Sequence, residues 1–219
     1  MRKYLWLIGL LGMAAALQAQ QVDPVLEQIK QRLDSITRFD VSVRMEVDIR
    51  HVNMPVKSAE LTYIQGNSVH IESEDFVLIP KRGLDFGLLE LYKYPFMTLN
   101  LGQVAFQGRG CELIKVIPTT DESDYSIATL WLDPRATRIL KSQISTKKNG
   151  VFDITYQYAA PGDILPSQIR VDFLVNDIRI PLRFVGREAE VDKEQLKADP
   201  GQKGAITLQF SGYRIQRIP

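Results

Sequence analysis

The chain has 219 residues, of which 45% are hydrophobic and 24% are charged, with 27 Lys and Arg against 26 Asp and Glu. Because this balance provides no strongly basic face to neutralise phosphates, the composition argues against nucleic-acid binding. About 200 residues suffice for one core that buries roughly 70% of the chain's surface. The single cysteine, Cys111, cannot form an internal disulfide, and its apolar neighbourhood favours a buried, inert thiol.

The first nineteen residues have the pattern of a secretory signal peptide. Arg2 and Lys3 precede an uncharged apolar run over residues 4–17, and Ala19 provides the small residue that signal peptidase requires. The run is shorter than the roughly 20 residues of a membrane-spanning helix, which favours a cleaved signal over the alternative of an uncleaved anchor. We predict cleavage after Ala19, export to the periplasm and one soluble domain over residues 20–219. Cys111 lies far from the cleavage site, so we expect no lipid anchor.

The exported domain begins with one helix and then changes to strands. Asp23 is a suitable N-cap with Pro24 at the first helical position. The apolar stripe that predicts the helix consists of Val25, Leu26, Ile29, Leu33 and Ile36. From Val41 to Arg50 apolar and polar residues then alternate, which predicts a strand with one buried face.

Strand patterns continue along most of the chain. They cover residues 58–64, the segment of Val69 and Ile71, Phe76–Pro80, and residues 111–117, 125–132, 139–146, 151–158, 167–175, 178–184 and 205–215. Asn149-Gly150 predicts a two-residue type I′ hairpin turn. Leu84–Tyr94 is compatible with a short helix, Met97–Phe106 is apolar but interrupted by Gly102, and residues 186–204 are expected to form a solvated loop.

The sequence therefore predicts a mainly β (α+β) fold with a curved antiparallel sheet of about nine or ten strands. One short helix cannot cover so large an apolar face, so either the sheet curls on itself or something else fills the concavity. Each apolar strand residue could also belong to an ordinary core. As a set, the residues expected to face the concave side and bind lipid are Val43, Met45, Val47, Leu61, Tyr63, Val69, Ile71, Trp131, Phe152, Ile154 and Tyr156.

No motif for catalysis, metal binding or a cofactor is present. His51 and His70 are isolated, and the acidic groups at 72–75 and 121–124 are interpreted as solvated charge. The chain lacks a nucleophile elbow, a phosphate-binding loop and a dinucleotide fingerprint. We expect a non-catalytic protein with no metal and no cofactor. A hydrolase with dispersed catalytic residues is the remaining enzymatic alternative.

Four segments carry a resemblance to a known family. They are the helix-to-strand segment Val25–Arg50, the hairpin Ala59–Ser73, the strand succession over residues 129–158, and the closing segment Gly204–Ile215. In this order, behind a signal peptide, they resemble the periplasmic outer-membrane lipoprotein carrier family and its LolA-like superfamily. The closing segment is similar to that of relatives in Bacteroidetes-type bacteria.

The resemblance implies a half-open β-barrel, with helices as a lid, that carries acyl chains of lipoproteins or other lipids in an apolar cavity. Leu84–Tyr94 would then be a short lid helix. Inner- and outer-membrane assembly proteins would be the partners of the protein, which we expect to be a monomer. Well-studied carriers hold the lid with an Arg before a Pro, whereas residues 64–66 here are Ile-Gln-Gly. The superfamily also includes periplasmic domains that sense envelope stress through protein contacts, which gives the alternative function.

Overall fold

The computed structural model of the chain describes residues 22–66, 70–72, 91–175, 190–192, 194–195 and 201–218. The elements are α1 (Pro24–Asp34), β1 (Ile36–Ile49), β2 (Val52–Asn53), β3 (Lys57–Ile64), β4 (His70–Glu72), β5 (Phe96–Phe106), β6 (Arg109–Pro118), β7 (Tyr125–Asp133), β8 (Arg138–Thr146), β9 (Val151–Gln157), β10 (Gln168–Leu174), β11 (Glu190–Val191) and β12 (Lys203–Arg217). Within these ranges, no helix is both long enough and apolar enough to cross a membrane.

The start of α1 is as predicted. A carboxylate oxygen of Asp23 accepts hydrogen bonds from the backbone N–H groups of Val25 (3.0 Å) and Leu26 (3.3 Å), and Pro24 follows it directly. This arrangement satisfies donors that the first helical turn leaves unpaired. The helix ends at Asp34, so Ile36, expected on its apolar stripe, is instead the first residue of β1.

The strands form one antiparallel sheet in the order β11-β2-β1-β12-β10-β9-β8-β7-β6-β5, with β3 on β1 and β4 on β3. The closing strand β12 lies between β1 and β10, so the first and last strands in chain order are neighbours in the sheet. Pairing with β12 extends β1 back to Ile36, which is opposite Arg217. The predicted curved antiparallel sheet with an N-terminal helix is confirmed.

The geometry of a type I′ turn occurs at a different hairpin from the one that the sequence predicts. Gln107 and Gly108 connect β5 to β6 with φ values of 50° and 73°, the two positive angles of a type I′ turn. At the predicted type I′ site only Gly150 has a positive φ, 69°. The Thr146 N–H donates to the Gly150 carbonyl at 2.9 Å and closes a longer loop. The prediction of a two-residue turn at Asn149-Gly150 is therefore wrong.

The segment Met97–Phe106, which the sequence left unassigned, belongs to the long strand β5. Several other predictions concern residues outside those that the structure describes. They are the signal peptide over residues 1–19, the strand Phe76–Pro80, residues 84–90 of the Leu84–Tyr94 helix, the strand over 178–184, and residues 186–189, 193 and 196–200 of the loop over 186–204. The described part of that loop contains β11 and the start of β12, which the sequence did not predict.

Candidate functional site

One face of the sheet, called the inner face below, carries mainly apolar rows across eight strands. Residues directly opposite in antiparallel strands point to the same side. One row consists of Val47, Ile206, Val171, Ile154, Ser142, Leu130, Ile114 and Asn100. The next row consists of Ile49, Gly204, Phe173, Phe152, Ile144, Ala128, Val116 and Thr98.

Helix α1 packs on this face and is fastened at both ends. Its residues Leu26 and Ile29 belong to the main core cluster, together with the inner-face residues of β6 to β10. At its start, the Asp23 N–H donates to Oγ1 of Thr98 at 2.9 Å. Near its end, the Arg32 guanidinium donates to the carbonyls of Thr137 (2.9 Å) and Gly162 (3.1 Å) and also to that of Ala136. The helix is therefore a fixed cover for part of the inner face.

The inner face has a second apolar region, on β1, β3, β4 and β12. Val43 lies between Ala59 and Phe210 in the pairing register, and these residues form a small cluster with Ile71. Beside it, Tyr63 stacks on Phe39 with ring centroids 5.1 Å apart. The sheet thus divides its apolar face between a core under α1 and a separate, smaller cluster.

Most of the predicted lipid-binding residues are in these two regions. Phe152, Ile154, Tyr156 and Val47 belong to the main core or pack against it, whereas Val43 and Ile71 belong to the second cluster. Met45 and Leu61 are buried, and Tyr63 stacks on Phe39. Val69 lies outside the described residues. Lipid binding by these side chains remains a prediction.

Trp131 does not face the inner side, so that prediction is wrong. It lies opposite Leu113 on β6 and Lys141 on β8, while Leu130 and Leu132 on either side of it are fully buried in the main core. Its ring is on the outer face, 5.0 Å from Nζ of Lys141. The segment Leu130-Trp131-Leu132 is apolar throughout, so alternation alone could not identify its buried face.

A cavity of about 300 Å³ opens at one end of the inner face, where β7 begins, β8 ends and β9 begins. Its apolar lining consists of Leu91, Tyr125, Ile144 and Phe152, and its charged lining consists of Lys93, Asp121, Glu122, Asp124, Lys147 and Lys148. Nζ of Lys147 donates to the Asp121 carbonyl at 2.6 Å. Alternation predicted Phe152 of this lining. Asp121, Glu122 and Asp124 are exposed, as the interpretation of solvated charge expects, but no sequence pattern placed them beside a cavity.

The buried polar groups of the sheet include a hydroxyl pair and a thiol. The hydroxyls of Tyr156 and Ser142 are 3.1 Å apart in the core, and burial raises the pKa of Tyr156 to about 12. Cys111 is buried, as predicted, and burial also raises the pKa of its thiol. Across the described ranges, no group of three or more His, Cys, Asp and Glu residues is placed to hold a metal ion.

The fold is similar to that of a LolA-superfamily protein from Nitrosomonas europaea. That structure matches with a TM-score of 0.52 and 10% sequence identity, over 89% of this chain and 93% of that one. The chain has a LolA-like fold. This confirms the fold that the sequence resemblance implied.

Two further structures are similar to the LolA-like chain at lower TM-scores. An outer-membrane lipoprotein-sorting protein domain from Vibrio parahaemolyticus has a TM-score of 0.47 and 14% identity, over 87% of this chain and 92% of that one. A DUF1329 family protein from Desulfovibrio piger has a TM-score of 0.48 and 13% identity, over 89% of this chain and 94% of that one. No family model and no curated protein matches the sequence.

Proposed function

We propose that this LolA-like protein is a non-catalytic periplasmic carrier, which binds acyl chains of lipoproteins or other lipids and delivers them towards the outer membrane. The observation that supports this proposal is the apolar inner face with a cavity of about 300 Å³ at its end. Acyl chains would bind because burial of apolar surface contributes about 25 cal/mol per Å². Signal-peptide cleavage after Ala19, a monomeric state and membrane assembly proteins as partners belong to the same proposal.

The cavity provides the proposed route to the inner face. Ile144 and Phe152 line the cavity and also belong to the main core, so a chain that enters there meets the apolar rows directly. Helix α1 is held by Asp23 at its start and by Arg32 near its end. Entry past the ends of β7, β8 and β9 therefore needs less rearrangement than entry under a lifted α1.

A series of saturated fatty acids of increasing length tests the proposal. Each added methylene that becomes buried should tighten binding about fourfold, since it contributes about 0.8 kcal/mol, and added salt should have little effect. Ile144→Thr places a hydroxyl in the cavity lining and should weaken binding. The matched variant Ile127→Thr, on β7 and outside the lining, should bind as the wild type does. Affinity that does not change with chain length would contradict the proposal.

Native mass spectrometry of the protein from its own periplasm provides a second test. A carrier should retain a mass increment that matches a lipid or an acylated peptide, and extraction with organic solvent should remove it. Protein recovered with no such increment, together with fatty-acid binding that does not depend on chain length, would reject the carrier role.

The alternative function is a periplasmic protein-interaction or envelope-sensing domain with no transport role. The observation that favours it is the packing of the inner face, where Ile154 and Leu130 are 0% exposed and Val43 is 1% exposed. A filled core of this kind would leave binding to the protein's surface. The alternative predicts a protein that is purified without a lipid and binds no fatty acid, so that Ile144→Thr only lowers its stability.

A further inference from the structure

The outer face of the sheet has an exposed apolar patch at its β5 edge. Met97 and Leu99 alternate along β5, Leu101 follows in the bulge between Asn100 and Gln103, and the three are 36%, 52% and 45% exposed. Leu99 lies opposite Lys115 on β6, and Leu113 on β6 lies opposite Trp131 on β7. We call these six residues the β5 patch: Met97, Leu99, Leu101, Leu113, Lys115 and Trp131.

The rest of the outer face is polar along the same rows. Beyond β7, the row of Lys115 continues through Gln143 and Asp153, and the row of Trp131 continues through Lys141 and Arg170. Charged side chains of both signs cover this part of the sheet and form ion pairs, including Lys141 with Asp153 at 2.8 Å and Arg170 with Asp172 at 3.0 Å. Along these two rows, the exposed apolar side chains therefore lie at the edge of the sheet.

We propose that the β5 patch docks on a membrane surface that contains anionic lipids. Its chemistry fits a headgroup layer, because leucine and methionine side chains protrude beside a tryptophan, and Lys115 lies opposite Leu99. Tryptophan is enriched at the interface between membrane and water, and lysines near an anionic bilayer are attracted to it. The proposal goes beyond lipid carriage, since docking depends on the patch alone.

The shape of the patch favours a bilayer over a protein partner. A stable protein interface buries about 800 Å² per partner and has a closely packed apolar centre. Here the most exposed apolar side chains form a single line on β5, and a lysine stands opposite the middle one, Leu99. Leu91 and Lys93, which line the cavity, precede β5 in the chain, so docking would bring the lipid surface to the strand that follows the cavity.

The first test uses the exported chain after cleavage at Ala19, in which Trp131 is the one tryptophan because the other, Trp6, lies in the proposed signal peptide. The protein is mixed with phosphatidylcholine vesicles, either pure or containing phosphatidylglycerol, and binding is measured by flotation. We expect binding to the anionic vesicles that weakens as salt rises. We also expect a blue shift of Trp131 emission and quenching by brominated lipids. No binding to anionic vesicles, or unchanged Trp131 emission in the bound protein, would overturn the proposal.

Matched variants then test the patch itself. Leu99→Asp should weaken vesicle binding roughly tenfold or more, since an aspartate is strongly disfavoured where a leucine enters the membrane. Its control is Leu174→Asp on β10, where the leucine is 39% exposed and away from the patch. Lys115→Glu should weaken binding by at least about fivefold, with the exposed Arg44→Glu on β1 as its control. Equal loss in a variant and its control would overturn the proposal.

Sedimentation and fatty-acid binding of the same variants distinguish membrane docking from dimer formation and from lipid carriage. A wild-type dimer that Leu99→Asp dissociates, without vesicle binding by either protein, would assign the patch to a second copy of the chain and overturn docking. Fatty-acid binding by Leu99→Asp should equal that of the wild type. If fatty acids do not bind but vesicle docking depends on the patch, the carrier role fails and the docking proposal stands.

Discussion

Phe173 on β10 and Gly204 on β12 lie directly opposite each other, and the ring of Phe173 occupies the space where a side chain at position 204 would begin. A Cβ at this position would be 2.8 Å from Cε2 of Phe173 and 2.9 Å from Cγ1 of Ile49. The glycine thus lets apolar side chains from β1 and β10 approach each other across β12. Through this contact, Ile49 at the end of β1 packs with Phe173 in the core under α1.

The first prediction follows from this close approach. Gly204→Ala should destabilise the protein by about 1–3 kcal/mol, because neither contact can be relieved without shifting the backbone or the packed side chains. Urea denaturation measures the change. The matched control is Gly110→Ala on β6, where a Cβ would meet no atom within 4 Å. Similar stability of the two variants would show that the core accommodates the methyl group.

Alternation identified much of the inner face because a period of two is a local property of a strand. Val43 and Met45 on β1 and Ile154 and Tyr156 on β9 are all buried, as the pattern predicts. The pattern failed at Trp131, where both neighbours are also apolar. It provided no assignment for β5, whose exposed Leu99 is on the outer face of an edge strand.

Other features of the site depend on contacts between distant segments. The bond from Asp23 to Thr98 joins residues 75 positions apart and fixes α1 over part of the inner face. The position of α1 determines which inner-face residues join the main core and which form the second cluster. The cavity likewise combines Leu91 with Phe152, whose proximity results from sheet pairing and not from any local sequence pattern.

The second prediction concerns the attachment of α1 by Arg32. Arg32→Met keeps the aliphatic stem but removes the hydrogen bonds to three backbone carbonyls, so it should destabilise the protein by about 1–3 kcal/mol and speed hydrogen exchange in α1. Arg32→Lys should not restore stability, because one ammonium group cannot reproduce the planar set of donors. Lys30→Met, which removes a surface pair with Asp34, is the control and should have a small effect. Unchanged exchange in α1 of Arg32→Met would contradict this role.

The third prediction concerns the hydroxyl pair in the core. Tyr156→Phe and Ser142→Ala each remove the 3.1 Å hydrogen bond between these side chains. The double variant should lose less stability than the sum of the single losses, and we expect a coupling of about 0.5–1.5 kcal/mol. Thermal or urea unfolding of the wild type, the two single variants and the double variant completes this double-mutant cycle. Additive losses would mean that the bond contributes nothing beyond the packing of each side chain.

The fourth prediction is a loss of stability at alkaline pH. Burial raises the pKa of Tyr156 from 10.0 to about 12 and also raises the pKa of Tyr158 and Tyr213. The unfolded chain therefore releases these protons at lower pH than the folded protein does. The stabilisation is fully present below pH 10 and is lost as the pH rises towards 12 and beyond.

Tyr156→Phe tests this dependence separately from its effect on packing. The variant should be less stable than the wild type at neutral pH, but its stability should fall less steeply with pH between 10 and 12. The slopes should differ by up to about 1.4 kcal/mol per pH unit, the value for one proton. Urea denaturation at several pH values gives both slopes, and the difference in slope is independent of any constant loss from packing. Parallel curves for the two proteins would show that Tyr156 ionises equally in the folded and unfolded states.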